Sequence, residues 1–311
     1  MILNKWHNTT FQVNQVSSDK LNEADHIYHS LLEQILSEGV WKENRTGTKT
    51  LSIFGPQIVF KNVEENFPLL TTKKVHLKSV IGELLWFLSG STNKNELRDK
   101  YGVTIWDEWN APNPKFNGDM GPIYGSQWVN WEYFIQHPNY DDLFEIRRIN
   151  QLQNIIDTLK KHPDDRRMIV SAWNVSQLSE MALPPCHWSY QFYSVLYPGD
   201  SKRTLHIIEN QRSIDTFLGL PFNIASYAVL LLMMAKEVNM KAGNLIMNLG
   251  DTHIYENHLE YVFKQLERES KRNEPNMNLI NNKDFWNYEP ADFVLENYDA
   301  WPNFKNVPIA V

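Results

Sequence analysis

At Pro163 the spacing of apolar residues along this chain changes, and that change decides the fold class. Before it, apolar side chains recur at helical intervals. Ile27, Leu31, Leu32 and Ile35 share a face after Asp25, with Gly39 placed to stop a helix. Leu77, Val80, Ile81, Leu84, Leu85 and Leu88 mark a helix over residues 75–88. Ile149, Leu152, Ile155, Ile156 and Leu159 mark another, which Pro163 ends. Residues 51–60 read as strand, broken by Gly55-Pro56. After Pro163, residues 168–173, 188–196, 204–208 and 245–249 read as strands, with a long apolar helix over 222–238 and a further helix over 254–269. Residues 112–120, 130–142 and 271–283 are polar and rich in turn formers, and read as loops. With no internal repeat and no linker, the pattern predicts one α+β domain. Residues 1–25 are expected to be an extension lying on the surface, and residues 26–311 the single catalytic domain.

Composition limits the partners. A chain of 311 residues, 42% hydrophobic and 22% charged, can bury a sizeable core. A net charge of −7 gives no overall basic footprint for nucleic acid, although local basic pockets remain open. No stretch nears the roughly 18 apolar residues of a membrane span; the longest candidate runs only over 225–235. The first seven residues lack an apolar signal core, so a cytoplasmic protein is expected, with neither nucleic acid nor membrane as partner.

Cys186 is the only cysteine, which excludes an internal disulfide. Two prolines precede it and His187 follows. Lone cysteines are most often small buried hydrophobes. As a nucleophile, Cys186 would need help, because a free thiol with a pKa of about 8.5 is mostly protonated at neutral pH. His187 is poorly placed to help, since neighbours on a strand face opposite ways. Arginine is the better activator and also binds phosphate bidentately. Arg45 lies in the polar loop Asn44–Thr48, Arg166 and Arg167 open a strand, and Arg212 closes one; each alone also fits a solvated ion pair. Glu83, among Val80, Leu84, Trp86 and Phe87, is either a desolvated carboxyl suited to proton transfer or a helix-border glutamate reaching solvent. Asn223, at the start of the 222–238 helix, is either an N-cap or a carboxamide that donates and accepts one hydrogen bond each.

The chain from about residue 26 onward resembles the thymidylate synthase family. The blocks that carry the resemblance are Arg45-Thr46-Gly47-Thr48, Thr71-Thr72-Lys73-Lys74, Glu83-Leu84-Leu85-Trp86-Phe87-Leu88, Ile105-Trp106-Asp107-Glu108-Trp109 and Gly121-Pro122-Ile123-Tyr124-Gly125. They continue with Arg166-Arg167, Pro184-Pro185-Cys186-His187, Gln211-Arg212-Ser213, the run from Leu218 to Tyr227, and Gly250-Asp251-Thr252-His253-Ile254-Tyr255.

The resemblance implies an α+β fold, a mixed sheet packed by helices, with sheets back to back across a homodimer. It implies reductive methylation of dUMP to dTMP by the co-substrate 5,10-methylenetetrahydrofolate, without a metal. On these residues, Cys186 would attack carbon 6 of the uracil. Arg212 would bind phosphate and favour the thiolate, Arg45 and Ser213 would share the phosphate, and Arg166 and Arg167 would reach it from the partner subunit. Asn223 would read N3–H and O4 of the base, with His187 and Gln211 in the supporting polar network. His253 and Tyr255 would hold the deoxyribose 3′-hydroxyl. Glu83 and Tyr124 would move protons. Asp215 would hydrogen-bond the pterin, with Ile105, Trp106, Trp109, Leu183, Gly219 and Phe222 around the folate. Lys73 and His76 would face its glutamate tail, and the terminal run through Ala310 and Val311 would close the site.

The chain departs from the family pattern in the longer 129–148 segment, in Trp188, and in Ala300-Trp301-Pro302, where Pro-His-Pro is usual. These departures keep a second outcome open: a hydroxymethyltransferase, in which water rather than hydride captures the one-carbon unit. A catalytically idle homologue that binds RNA or a protein would show a lost catalytic set and a basic face, and this chain has neither.

Overall fold

The first helix begins where the chain supplies a cap. Asn22 Oδ1 accepts from Asp25 N at 2.8 Å, and the helix α1 (Glu23–Glu38) then buries Tyr28, Leu31, Leu32, Ile35 and Leu36. The computed structural model describes residues 16–137, 139–271 and 274–310. The strands β1 (Val40–Lys42), β2 (Thr50–Phe54) and β3 (Gln57–Phe60) follow. Next come α2 (Leu77–Leu88), α3 (Lys94–Tyr101) and α4 (Tyr124–Asn130), then the hairpin β4 (Trp131–His137) and β5 (Tyr140–Ile149), and α5 (Gln151–Lys161). The second half holds β6 (Ile169–Ser171), β7 (His187–Val195), β8 (Thr204–Asp215), α6 (Leu220–Glu237), β9 (Lys241–Tyr255), α7 (Leu259–Leu266), β10 (Asn276–Leu279) and β11 (Phe293–Glu296).

Seven strands form one mixed sheet in the order β1-β2-β9-β8-β7-β6, with β3 also on β9. Only β8 and β9 run parallel, joined by α6 as a crossover. The alternation of β8 aims Leu205, Ile207, Glu209 and Gln211 into the interior. There α6 packs on β8 and β9 and against α2. The opposite face is half-exposed and carries a polar row across four strands: Gln57 donates to Asn248 (2.8 Å), Asn248 to Asn210 (2.9 Å) and Asn210 to Ser189 (3.1 Å). Glycine permits the close approach of β9 to β8, since a Cβ on Gly250 would stand 2.5 Å from the Arg212 carbonyl oxygen.

A buried acid ties the remote ends of the chain together. Asp25, wholly inaccessible to solvent, accepts from the backbone N–H groups of Thr71 and Thr72 (both 3.1 Å), from their hydroxyls (2.6 and 2.7 Å) and from Ser270 Oγ (2.7 Å). Gln265 adds a 2.6 Å bond to Thr72 Oγ1. A buried carboxylate is tolerated because every lone pair finds a donor.

Several readings from the sequence need correcting. Residues 130–142 are not a surface loop but β4 and the start of β5, an antiparallel hairpin whose Phe134, Phe144 and Ile146 stay exposed, so no core periodicity marked it. Residues 271–283 contain β10, paired with β11. The helix expected over 254–269 starts only at Leu259, because Ile254 and Tyr255 finish β9. Residues 16–25 are not wholly a surface extension, since α1 begins at Glu23 and Asp25 is core; the first fifteen residues lie outside the described ones. Among the described residues no helix is long and apolar enough to cross a membrane.

Asp25→Ala should lower the free energy of unfolding by about 3 kcal/mol, because five donors lose their acceptor together. Asp25→Asn should recover part of it. Equilibrium urea unfolding checks both, and a loss within experimental error would remove Asp25 as the tie.

Candidate active site

The carboxyl ends of the parallel strands β8 and β9 and the first turn of α6 meet at one place, where such a crossover leaves room for a ligand. Ser213 lies opposite Asp251 and Asp215 opposite His253 in this register. Cys186 sits beside them, one residue before β7. The Arg212 guanidinium holds its loop, with Nε donating to Pro185 O (2.8 Å) and Nη2 to Pro184 O (2.7 Å), while Nη2 also stands 3.7 Å from Cys186 Sγ. The Arg212 N–H donates to Cys186 O at 2.8 Å.

Burial pushes the Cys186 thiol up, and the nearby Arg212, Tyr124 and Arg45 pull it back only in part. Arg212 therefore favours the thiolate but does not make it the resting form.

The wall behind the thiol is aromatic. Tyr124, at the start of α4, accepts from Cys186 N at 2.8 Å, and its ring stacks on His187 with centroids 4.1 Å apart. It also touches Phe87 (4.9 Å) and Trp106 (5.9 Å). Burial holds the Tyr124 phenol neutral and pushes His187 down to about 3. His187 Nδ1 and Tyr227 Oη lie 2.8 Å apart. His187 is thus a neutral imidazole behind Tyr124, not a base facing the thiol.

Glu83, left open by the sequence, is desolvated. Burial raises its carboxyl to about 7, against the one opposing contact, Trp106 Nε1 donating to Oε1 at 2.7 Å.

Asn223 does not cap α6. The helix starts at Leu220 after Gly219, and the Asn223 side chain donates to Gln211 Oε1 at 3.3 Å. Along β9, His253 and Tyr255 meet edge-to-face at 5.1 Å, and burial raises the Tyr255 hydroxyl, with the charge of Asp215 adding to it. Arg45 is exposed on its loop. Asp215 Oδ1 accepts from Phe217 N (2.9 Å) and Leu218 N (3.1 Å); although burial would raise this acid, His258 and the backbone hold it below its ordinary value.

The apolar candidates lie at the margin of the core. Ile105 is 40% exposed, Leu183, Phe222 and Trp109 are half-buried, and Trp109 meets Trp106 edge-to-face at 5.8 Å. Gly219 N–H donates to Asp215 O at 3.0 Å. Half-buried Ala310 follows the tail residue Pro308, whose carbonyl accepts from His258 Nε2 at 2.7 Å; Val311 lies outside the described residues. His76 is exposed at the start of α2.

One expectation is not met within this site. Lys73 turns inward rather than toward a solvent-facing tail: it is buried, donates to Phe217 O and covers the Phe217 ring at 3.9 Å, and burial lowers its amine to about 7. Arg166 and Arg167, expected to serve a partner subunit rather than their own site, are exposed, with Arg167 paired to Asp165 at 2.6 Å. The sequence reading missed His258, fully buried between Asp215 and the tail, and Tyr227; a histidine three residues after the Tyr255 block was the available signal for the first.

A carbon-detected NMR titration should show one carboxyl with a midpoint near pH 7, absent in Glu83→Gln. Trp106→Phe should move that midpoint up, because the indole N–H favours the carboxylate. Since the folded state prefers Glu83 protonated, this group's contribution to stability is complete below about 4.5 and is lost as pH rises through about 7. Urea unfolding across that range should show the loss in the unaltered protein and not in Glu83→Gln.

A half-buried thiol under an arginine, a desolvated glutamate, and a carboxamide at the mouth of a βαβ crossover are joined by an independent finding. The family model described as thymidylate synthase matches residues 26–311, nearly the whole chain. The chain belongs to the thymidylate synthase family.

Proposed function

We propose that this member is a thymidylate synthase in the strict sense, converting dUMP and 5,10-methylenetetrahydrofolate to dTMP and dihydrofolate. Membership makes it a folate-dependent transferase of the dUMP methyl or hydroxymethyl class. The observation that carries the reading is the Cys186–Arg212 pair at 3.7 Å, with Asn223 bonded to Gln211, next to Arg212 on β8, and Glu83 bonded to Trp106, which meets the Tyr124 that holds Cys186 N.

Cys186 Sγ adds to carbon 6 of the uracil, and carbon 5 becomes the nucleophile. Burial keeps the thiol protonated at rest, so its proton must pass to solvent or to the uracil enolate as Sγ adds, with the Arg212 charge favouring the anion. Arg212, with Nε and Nη2 engaged on Pro185 and Pro184, offers its remaining donors to the phosphate, joined by Arg45 and Ser213. The Asn223 carbonyl accepts N3–H while its amide donates to O4. His253 and Tyr255 hold the 3′-hydroxyl. Glu83, poised near neutrality, exchanges a proton with O4 through water, and Tyr124 helps remove the carbon 5 proton. Asp215 would hydrogen-bond the edge of a flat heterocycle, with Ile105, Trp106, Trp109, Leu183, Gly219 and Phe222 packing on it. When bound there, the folate supplies the one-carbon unit and the hydride. The half-exposed face of the sheet suits a second copy, whose Arg166 and Arg167 would complete the phosphate site.

Hydride rather than water is favoured by the tail. Phe304 packs on Phe217 at 5.6 Å and Pro308 is held by His258, so the closing segment already lies beside Asp215. The Trp301 substitution is anchored away from the thiol, with its N–H on Thr71 O (2.8 Å) and its indole on Glu269 O (2.8 Å).

Mass analysis after incubation with dUMP and methylenetetrahydrofolate should find dTMP and dihydrofolate; hydroxymethyl-dUMP with tetrahydrofolate would refute the choice. Cys186→Ser should reduce turnover by about a thousandfold or more while dUMP binding persists.

A further inference from the structure

Three buried polar groups on the facing strands β7 and β8 have no hydrogen-bond partner among the described residues: both oxygens of Glu209, Tyr190 Oη and Gln211 Nε2. Glu209 and Tyr190 are 0% and 1% exposed, and Gln211 3%. Such orphans are costly, and three at one place call for a common account. Tyr190 stands directly opposite Glu209 in the β7–β8 register, and Gln211 is two residues along β8 on the same interior face. Burial keeps Glu209 protonated, opposed only by the Gln211 carboxamide, although the two do not meet in hydrogen-bond geometry. A neutral carboxyl has one donor and a free carbonyl oxygen. Gln211 Nε2–H can donate to that oxygen, and the acid O–H to Tyr190, which accounts for all three groups.

We propose that Glu209 is a positioning residue that fixes which end of the Gln211 carboxamide faces Asn223, and so sets the preference of the site for a uracil over a cytosine ring. The inference rests on the reading of Asn223 as the base-recognising residue. With Gln211 Nε2 held by Glu209, Gln211 Oε1 faces Asn223 and accepts from its Nδ2, as the 3.3 Å contact has it. Asn223 then presents a carbonyl to N3–H and its second amide hydrogen to O4, the pattern of uracil. Were Gln211 to turn end for end, its Nε2 would face Asn223 and draw the Asn223 carbonyl round. The amide would then meet N3 and the carbonyl the exocyclic amine, which is the pattern of cytosine. A glutamine amide is nearly symmetric in shape, so its partners decide between the two.

The test is calorimetric binding of dUMP and dCMP to the full chain. Glu209→Leu should lower the dUMP-to-dCMP affinity ratio about tenfold, the size of one misdirected hydrogen bond. Glu209→Gln, which still accepts from Gln211 and donates to Tyr190, should keep the ratio within about twofold. Tyr190→Phe leaves the Glu209–Gln211 contact and should also keep it. Should the Leu variant not fold, Glu209→Met carries the same expectation. An unchanged ratio in Glu209→Leu, with both affinities falling together, would mean a merely structural role and overturn the inference alone. A fall in Tyr190→Phe as large as in Glu209→Leu would overturn it too. If the unaltered protein binds no dUMP, the reading of the site fails and takes the inference with it.

Discussion

Two carbonyl groups of a proline turn accept from one guanidinium, and the rest of the site is arranged around that clamp. Neither Pro184 nor Pro185 has a backbone N–H, so nothing in the turn donates back to the neighbouring strand. Arg212 substitutes for the missing ladder, holding both carbonyls and fixing Cys186 at its side. The residue can do this because it lies near the end of β8, where Gly250 lets β9 come close enough to continue the sheet past it. The same extension carries Ser213 and Asp215 forward on one strand and His253 and Tyr255 on the other. One parallel pairing thus delivers the polar half of the cleft, and α2 and α4 deliver the aromatic half through Trp86, Phe87 and Tyr124.

Burial, rather than pairing, sets the chemistry of the groups in the cleft. The Cys186 thiol, the Glu83 carboxyl and the Tyr124 phenol are raised by it, and the His187 imidazole is lowered. Each is therefore uncharged or near its balance point before anything binds. The positive charge beside these groups comes from Arg212 and Arg45, both of which act on the Cys186 thiol.

The motif residues were legible in the sequence because their spacing survives as blocks, and the family resemblance rested on those blocks. What was not legible follows one rule: the apolar pattern shows only what the core sees. Strand β8 was read as ending at Ile208 because Glu209 breaks the apolar alternation, although the alternation continues inward through Gln211. The helix α3 was missed since, of its eight residues, only Lys94, Leu97 and Tyr101 are buried. No described residue of the β4–β5 hairpin is fully buried, so no core periodicity reveals it. Asn223 was offered as a cap because it stands early in an apolar run, but Pro221 moves the helix start back to Gly219, leaving the carboxamide free for Gln211. The inward turn of Lys73 depends on Phe217, far along the chain, and only the folded structure brings the two together.

The single cysteine has one more consequence. Oxidants attack thiolates far more readily than thiols, and a sulfenic acid is usually rescued by condensing with a second thiol. This chain has no second cysteine to serve as that partner. Its protection lies in the resting state itself. Burial keeps Cys186 as a thiol. The desolvation that holds the thiol protonated also makes it durable.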